Sequence, residues 1–340
     1  MDNSFMEPPR STPAAIQAKG RLMTGEVIES IFSQYGIVFI VIILAVIFGI
    51  TAPRFLSEQN IINIFKQVSV VAIMAIGMTM VILIGGIDLS VGSVALLAGT
   101  TTMYFINHNV TSTVTAIIVG LLAAALVGFI NGFMVEKVKI SPIIVTLGTM
   151  IAVRGLAQSI LWLDNSWAWV HDPLFSLIAN KSFGGVPIVV IVMLLLYLLF
   201  FILLTQTSFG RHLYAIGGNQ KASKLCGIPV EREKILAYVL CGLTAGLGGL
   251  VLISRLSAVS PAVGLRIEFD VITAVILGGA SLSGGSGRLE KTLLGAILVG
   301  MILNYLTIKG IPGTLQSAVN GFIILIAAVL DRLSKARSAG

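Results

Sequence analysis

The chain has 340 residues, of which 56% are hydrophobic and only 11% are charged, and its formal net charge is +7. Its mean hydropathy of +1.00 and several apolar runs of about 20 residues exclude an ordinary soluble domain and predict an integral membrane protein. The positive charge could indicate nucleic-acid binding, but the sequence has no basic stripe with interleaved aromatic residues. We therefore attribute the charge to loops that set membrane topology.

The first 34 residues are polar and have no short apolar core near their start, so they predict a cytoplasmic tail and not a cleavable signal peptide. Ten hydrophobic segments follow, near residues 36–52, 67–86, 90–107, 112–135, 141–162, 186–205, 234–254, 269–283, 291–308 and 315–331. The segment at 269–283 is the least typical, because it is short and begins beside Glu268 and Asp270. We therefore expect an all-α integral membrane protein with about ten transmembrane helices. Its parts are a tail (1–34), a membrane domain (35–333) and a C-terminal tail (334–340).

The distribution of Lys and Arg sets the predicted orientation. With the N-terminus inside, fifteen of these residues fall in the inner tails and loops and six in the outer loops. Basic loops favour the cytoplasm, so both termini are expected there. The long basic loop at 206–233 then faces the cytoplasm, and the long loop after Trp162 faces outward.

Within the basic loop, the sequence indicates a short helix. The chain breaks at Gly217-Gly218, restarts at Asn219 and stops at Gly227 before Pro229. Asn is a favoured N-cap residue and Gly a favoured helix terminator, so we expect a helix of about two turns. A short capped helix in a cytoplasmic loop has little to bury by itself, which indicates a docking element for another protein.

The stretch GGIDLSVGS at 85–93 has a second copy, GGASLSGGS at 278–286, which is identical at six of nine positions. Similar apolar runs precede both copies, and a looser echo pairs Pro142 with Pro312. The chain thus has two related halves, whose Gly-rich segments we expect to be broken or re-entrant. The glycine match implies parallel halves and the proline match implies inverted ones, and both remain open. Duplicated transporters bind substrate where discontinuous helices meet near the membrane midplane.

The sequence contains no credible catalytic or metal-binding constellation. The three histidines, His108, His171 and His212, lie in predicted loops without a nucleophile, and no other ligand is spaced to bind a metal beside His171. The string GGSGRLEKT at 284–292 lacks the Walker A spacing, because a Glu precedes its Lys. We therefore expect no enzyme activity and no cofactor in this chain, so that any ATP-driven work must come from a partner.

Charged residues inside membrane segments are functional hypotheses by default, and Asp88 and Arg154 are the clear cases. Asp88 either lines a solute path or caps the helix that follows it. Arg154 either contacts substrate or only snorkels or pairs with a backbone carbonyl. The remaining polar groups are mostly hydroxyls and amides, which both donate and accept hydrogen bonds and suit a neutral polyol better than an ion. Small-residue helix packing explains much of the same set equally well. The candidates for a path are Ser90, Ser93, Asn131, Ser281, Ser283 and Asn304.

Three longer stretches carry a resemblance to a known family. They read AIMAIGMTMVILIGGIDLSVGS, FGRHLYAIGGNQKASKLCGIPVER and EFDVITAVILGGASLSGGSG. With them the chain resembles the permease subunit of ribose-type sugar ABC importers, from about Ile37 to Leu333. The motifs are specific for the family and weak for the substrate. At 264–268 the chain reads GLRIE where relatives tend to carry smaller residues, so Arg266 departs from the pattern.

The resemblance implies about ten spans and a pair of permease copies, homodimeric or heterodimeric, on two ATPase subunits that bind the ATP and Mg. It implies that a periplasmic binding protein delivers a monosaccharide to the permease, which moves it across the bacterial inner membrane. A ribose-like pentose is the first candidate, with hexoses and cyclitols still open. It also implies that the two Gly-Gly segments, Gly85, Gly86, Gly278 and Gly279, line the path. The ATPase-coupling helix would comprise Gly218, Asn219, Ala222, Ser223, Gly227 and Ile228. The alternative is an ion-coupled secondary carrier or a channel for small polar solutes, which would not need that helix.

Overall fold

The computed structural model describes residues 35–164, 167–169 and 172–338. The predicted N-terminal tail and His171 lie outside the described residues. The described part contains thirteen helices: α1 (Tyr35–Thr51), α2 (Glu58–Leu83), α3 (Val91–Asn107), α4 (Thr113–Glu136), α5 (Pro142–Trp162), α6 (Pro173–Asn180), α7 (Ile188–Gln206), α8 (Ser208–Gly218), α9 (Gln220–Leu225), α10 (Val230–Leu256), α11 (Ile267–Leu277), α12 (Leu289–Ile308) and α13 (Gly313–Ser338). Two antiparallel strand pairs join β1 (Ala168–Trp169) to β4 (Ala258–Val259) and β2 (Ser182–Phe183) to β3 (Val186–Pro187).

Each predicted hydrophobic segment coincides with a helix, namely α1 to α5, α7 and α10 to α13. Six of these, α2, α4, α5, α7, α10 and α12, are long and apolar enough to cross a membrane. The prediction of a helical, multi-pass membrane protein is therefore confirmed. The helices α6, α8 and α9 lie in the two long loops, on either side of α7.

The predicted hydrophobic segment at 269–283 is helical only in its first part. The helix α11 has only 11 residues and ends at Leu277, so it is about 16 Å long, half of a ~30 Å hydrocarbon layer. Non-helical chain follows it, because Gly279, Gly284 and Gly285 adopt positive φ angles of 82°, 86° and 74°. Such angles are incompatible with a right-handed helix and favour glycine.

The helix α10 lies at the centre of the bundle and packs against α2, α3 and α4. Glycines make these contacts close. A Cβ atom built on Gly128 of α4 would collide with the Tyr238 carbonyl oxygen on α10 and lie 3.0 Å from the Val239 Cα. Gly248 of α10 likewise packs closely against the Met74 side chain on α2. In a lipid bilayer the hydrophobic effect does not drive helices together, so close van der Waals packing of this kind stabilises their association.

The end of the bundle that contains Leu83, Glu136 and Val230 is called the basic end here, because Lys137, Lys139, Lys224 and Lys234 lie near it. The chain passes through this end several times, since α2 and α4 finish there and α10 starts there. The opposite end contains the last residues of α1 and α12 and the first residues of α2 and α13.

Close helix contacts fix the depth at which α3 begins. Gly77 on α2 packs against Cys241, 11 residues into α10, and Gly249, 19 residues into α10, packs against Ala95 on α3. At 1.5 Å per residue, α2 ends about 7 Å from the start of α10, whereas α3 begins about 22 Å from it. Residues 84–90 cover this difference without helical structure.

The helix α11 begins at the same depth as α3. A Cβ atom built on Gly92 of α3 would lie 2.5 Å from a carboxylate oxygen of Glu268 and 3.1 Å from Ile267 on α11. From there α11 runs back to the basic end, where Gly278 packs against the first turn of α12. The N-termini of α3 and α11 therefore meet in the interior, and the two helices run in opposite directions from that point.

We predict that Gly128→Ala lowers the free energy of unfolding by about 1–3 kcal/mol, because the added methyl group overpacks the contact between α4 and α10. Thermal unfolding of the detergent-solubilised protein measures the effect. The matched control is Gly148→Ala on α5, where a Cβ atom has no neighbour within 4 Å. Equal melting temperatures for the two variants would contradict the packing argument.

Candidate functional site

The two Gly-rich segments lie side by side at the basic end. The Gly285 N–H donates a hydrogen bond of 2.8 Å to the Leu83 carbonyl. A Cβ atom on Gly284 would lie 2.9 Å from the Gly85 nitrogen, and both of these glycines have positive φ angles. The two copies follow helices that run towards the same end, α2 and α11, so at this point they are parallel.

The end of α8 packs onto this contact. A Cβ atom on Gly217 would collide with the Leu83 carbonyl and lie 2.9 Å from the Gly285 Cα, and one on Gly285 would lie 2.8 Å from the Gly218 nitrogen. The Tyr214 hydroxyl adds a hydrogen bond of 2.9 Å to the Gly287 carbonyl. One helix of the long basic loop thus touches both Gly-rich segments.

The predicted break at Gly217-Gly218 is wrong by one or two residues, because α8 includes both glycines and ends at Gly218. The reason is that Gly217 serves the close contact with Leu83 and does not end the helix. The backbone turns at Asn219 instead, which has φ −158° and ψ 100°.

The short helix and its cap are confirmed as α9. The Asn219 side chain accepts a hydrogen bond of 3.0 Å from the Ala222 N–H, and the Ser223 hydroxyl donates to the Asn219 carbonyl at 2.9 Å. Gly227 has φ 81°, and the Ile228 N–H donates to the Ser223 carbonyl at 3.1 Å. The helix exposes 90% of Leu225, its last residue. This exposed side chain was not among the sequence candidates, although an apolar residue in a polar helix was a visible signal.

Asp88 forms a buried polar cluster with two of the predicted residues. Its Oδ1 atom accepts hydrogen bonds from the Ser90 N–H at 2.8 Å and from the Ser90 hydroxyl at 2.6 Å. The Asn131 amide on α4 donates to the Ser90 hydroxyl at 2.9 Å and to Asp88 Oδ2 at 3.5 Å. All three side chains are at most 1% exposed.

This geometry differs from an ordinary N-cap. Ser90 occupies the N-cap position of α3 without a side-chain cap bond, and the Asp88 carboxylate holds Ser90 and not the first turn of the helix. Among the described residues, the Asn131 Oδ1 atom and the Tyr238 hydroxyl have no hydrogen-bond partner. The cluster fixes residues 84–90 between α4 and α10, and contact of Asp88 with a solute stays a prediction.

Other predicted path residues lie elsewhere. Arg154 donates three hydrogen bonds to the carbonyls of Pro261, Val263 and Gly264, at 3.1–3.4 Å, which agrees with the carbonyl alternative. Asn304 and Asn60 exchange two amide hydrogen bonds of 2.9 and 3.0 Å. Asn304 lies near the end of α12 and Asn60 near the start of α2, so this pair is at the end of the bundle away from the basic end.

The serines also divide. Ser93 donates to the Met150 carbonyl on α5 at 2.8 Å, beside the Asp88 cluster. Ser281 and Ser283 lie in the segment after α11, where the Ser283 N–H donates to the Ser281 hydroxyl at 3.2 Å. Gly86 approaches Tyr238, whereas Gly279, with φ 82°, has open space around its Cβ position. The predicted path residues therefore lie in four places: around Asp88, in the paired Gly-rich segments, at Arg154 and at Asn304.

A cavity of about 910 Å³ lies between α11 and α13, with parts of α2 and α12 in its wall. Arg266, Asp270, Ser317 and Asn320 supply polar side chains to its wall. The sequence pointed to Asp270 and Arg266 as unusual but did not place them in a path. Ser317 and Asn320 were missed, since only the packing of α13 on α11 brings them to these charges.

Comparison with known proteins places the chain among transport proteins. The family described as branched-chain amino acid transport system / permease component matches residues 60–328. The chain is 40% identical over 302 residues to the ribose import permease protein RbsC of Bacillus subtilis, covering 86% of this chain and 91% of that protein. It is 36% identical over 305 residues to the protein of the same name from Escherichia coli K12, covering 88% and 94%. It is 35% identical over 302 residues to the L-arabinose transport system permease protein AraH of Escherichia coli K12, covering 89% and 91%. No solved structure gives a significant match.

We predict that Asn131→Leu lowers the melting temperature measurably, because it removes the donors to Asp88 and Ser90 and leaves their buried oxygens without them. An unsatisfied buried group costs about 1–3 kcal/mol. The matched control is Gln158→Leu on the partly exposed side of α5, which should change the melting temperature little. If both amide-to-leucine variants unfold at the wild-type temperature, the cluster does not hold residues 84–90 as described.

Proposed function

Because the chain belongs to the permease component family of branched-chain amino acid transport systems, we propose that it is the membrane-spanning subunit of an ABC importer for a monosaccharide. It is a multi-pass membrane protein. Its relatives are transport permeases and not enzymes. The observation that carries the mechanism is the contact of α8 with both Gly-rich segments, because it joins a loop that a cytoplasmic partner can reach to the interior of the bundle.

The substrate class follows from the relatives. Those at 35–40% identity are named for ribose and for L-arabinose, both of them pentoses. We therefore propose a pentose of the ribose class. The hydroxyl and amide groups inside the bundle support a neutral polyol, because they can both donate and accept hydrogen bonds.

The energy comes from a partner in this proposal. ATPase subunits on the cytoplasmic face bind ATP and Mg and dock on α9, where Leu225 is exposed and Lys221 and Lys224 add positive charge. When the ATPases close, α9 and α8 move together, and the end of α8 displaces the Leu83–Gly285 contact. Residues 84–90 and the segment after α11 then shift, and with them the buried N-termini of α3 and α11.

The proposed topology has ten membrane helices, α1 to α5, α7 and α10 to α13, in the inner membrane of a bacterium. Two of them, α3 and α11, begin inside the hydrocarbon layer. Both termini are cytoplasmic, so the basic end faces the cytoplasm together with the coupling loop at 206–233. The tails are 1–34 and 334–340, and 35–333 is the permease domain among the membrane lipids. A second permease copy, a homodimer in the simplest case, completes the path.

A periplasmic binding protein docks at the opposite end in this arrangement. The loop between α5 and α6 presents Trp167 and Trp169, each more than half exposed and with ring centroids 6.3 Å apart. Large aromatic side chains of this kind are frequent anchors of protein interfaces.

We predict that proteoliposomes holding this chain, its cognate ATPase and binding protein accumulate radiolabelled D-ribose or L-arabinose only when ATP is supplied on the ATPase side. L-Leucine serves as the competing substrate. Accumulation by the chain alone on a sodium or proton gradient would instead support a secondary carrier. Uptake of leucine but of neither pentose would overturn the sugar assignment.

We predict that Gly217→Ala abolishes most uptake while the ATPase still co-purifies, because the methyl group separates α8 from Leu83 and Gly285 without altering the docking helix. The expected loss of uptake is about tenfold or more, the effect of losing roughly 1.4 kcal/mol in a coupling step. Gly148→Ala serves as the control. Normal uptake by the Gly217 variant would show that coupling does not pass through this contact.

A further inference from the structure

The cavity between α11 and α13 lies in the half of the bundle away from the basic end. Three residues in its wall show how deep it lies. Gln67 is nine residues from the start of α2, Leu303 is five residues from the end of α12, and Asn320 is seven residues from the start of α13. At 1.5 Å per residue these positions are about 8–14 Å inside the bundle. Its volume of about 910 Å³ is within the range of small-molecule sites.

Two helical faces supply the polar groups. Phe269 and Asp270 lie in the first turn of α11, and Arg266 is the residue just before this helix. Ser317 and Asn320 share one face of α13 by their spacing. The Arg266 guanidinium donates to the Ser317 hydroxyl at 2.8 Å, and the Asn320 amide donates to the Asp270 carboxylate.

The Asn320 side chain is held firmly. It is 6% exposed, and its Oδ1 atom also accepts a hydrogen bond of 3.2 Å from the Thr273 hydroxyl on α11. The bond to Asn320 uses one oxygen of the Asp270 carboxylate, which has two oxygens that can each accept more than one hydrogen bond. The cluster is thus built into the helix contact and still offers acceptor capacity.

The charged side chains of Arg266 and Asp270 must face water or protein at this depth, because contact with lipid would cost free energy. A water-filled cavity that forms part of a path for a polar solute gives them such surroundings. The buried Asp88 cluster is different: its groups bind one another and are sealed between α4 and α10.

The chemistry of the wall suits a sugar. Arg donates, Asp accepts, and the amides of Gln67 and Asn320 do both, as the hydroxyls of a sugar require. The exposed rings of Phe269 and Phe322 add apolar surface for its C–H faces. A simple cation would not need the Arg, and a simple anion would not need the Asp.

We propose that the cleft between α11 and α13, formed around Arg266, Asp270 and Asn320, is the site where the permease contacts the monosaccharide during transport. This inference rests on the proposed function. It assigns the polar contact with the sugar to α11 and α13, which lie on the side where the sugar is delivered. The Gly-rich segments then transmit movement and do not bind the sugar.

The test uses the complete importer in proteoliposomes, with radiolabelled D-ribose and L-arabinose as probes. Gly321→Trp fills the cleft, since a Cβ atom on Gly321 has no neighbour within 4 Å. The matched control is Gly148→Trp on α5, which also has open space. Asp270→Asn removes the charge and keeps an oxygen that accepts from Asn320.

We expect Gly321→Trp and Asp270→Asn each to lower the ATP-driven uptake rate about tenfold or more. The indole of Gly321→Trp occupies the space of the sugar, and Asp270→Asn loses a hydrogen bond to a charged group, whose usual effect has this size. ATP hydrolysis stimulated by the loaded binding protein should persist, because docking and α9 are intact. The Gly148→Trp control should transport at the wild-type rate.

Uptake by both cleft variants at the rate of Gly148→Trp overturns this inference and leaves the proposed function standing. Loss of stimulated ATP hydrolysis together with uptake also overturns it, because the cleft would then serve docking or assembly. A wild-type importer that transports neither pentose overturns the proposed function and, with it, this assignment.

Discussion

The hydrogen bond from the Gly285 N–H to the Leu83 carbonyl is the contact on which the basic end of the protein depends. It brings together two segments that are about 200 residues apart in the chain, and Gly217 at the end of α8 packs against both partners. Side chains at Gly217, Gly284 or Gly285 would separate the backbones. Three distant stretches therefore meet mainly through backbone atoms, with one added bond from the Tyr214 hydroxyl. A helix at the surface is thus connected directly to chain that enters the interior.

Polar groups inside the bundle have two kinds of surroundings. The Asp88 carboxylate, the Ser90 hydroxyl and the Asn131 amide bind one another and are at most 1% exposed. This cluster stabilises an irregular segment, because both Asp88 carboxylate oxygens and the Ser90 hydroxyl receive a donor inside the protein. Around Asp270 the polar groups instead lie beside a cavity between two helices. The first arrangement holds the chain in place, and the second can exchange protein contacts for contacts with a solute.

The depths of the helices explain why both arrangements exist. The helices α3 and α11 start in the interior and run in opposite directions, so each is entered by non-helical chain. Backbone of that kind must find partners inside the protein. Residues 84–90 have hydrogen-bond partners in the Asp88 cluster. Arg154 donates hydrogen bonds to the carbonyls of Pro261, Val263 and Gly264. The intramembrane charges noted in the sequence thus support irregular backbone.

The sequence by itself determined the positions of the ten hydrophobic helices, the short helix α9 with its Asn219 cap, and the family. Apolar runs of about 20 residues and the local preference of Asn for N-caps act over a few turns, so they are readable without a fold. The length of α11 and the end of α8 were misread, because the glycines concerned serve turns and contacts with distant residues. Only the tertiary structure decided that Arg154 binds carbonyls, that Asn304 pairs with Asn60, and that Ser317 and Asn320 join the charges of α11. These depend on which helix faces lie together, and packing between residues far apart in the chain sets that.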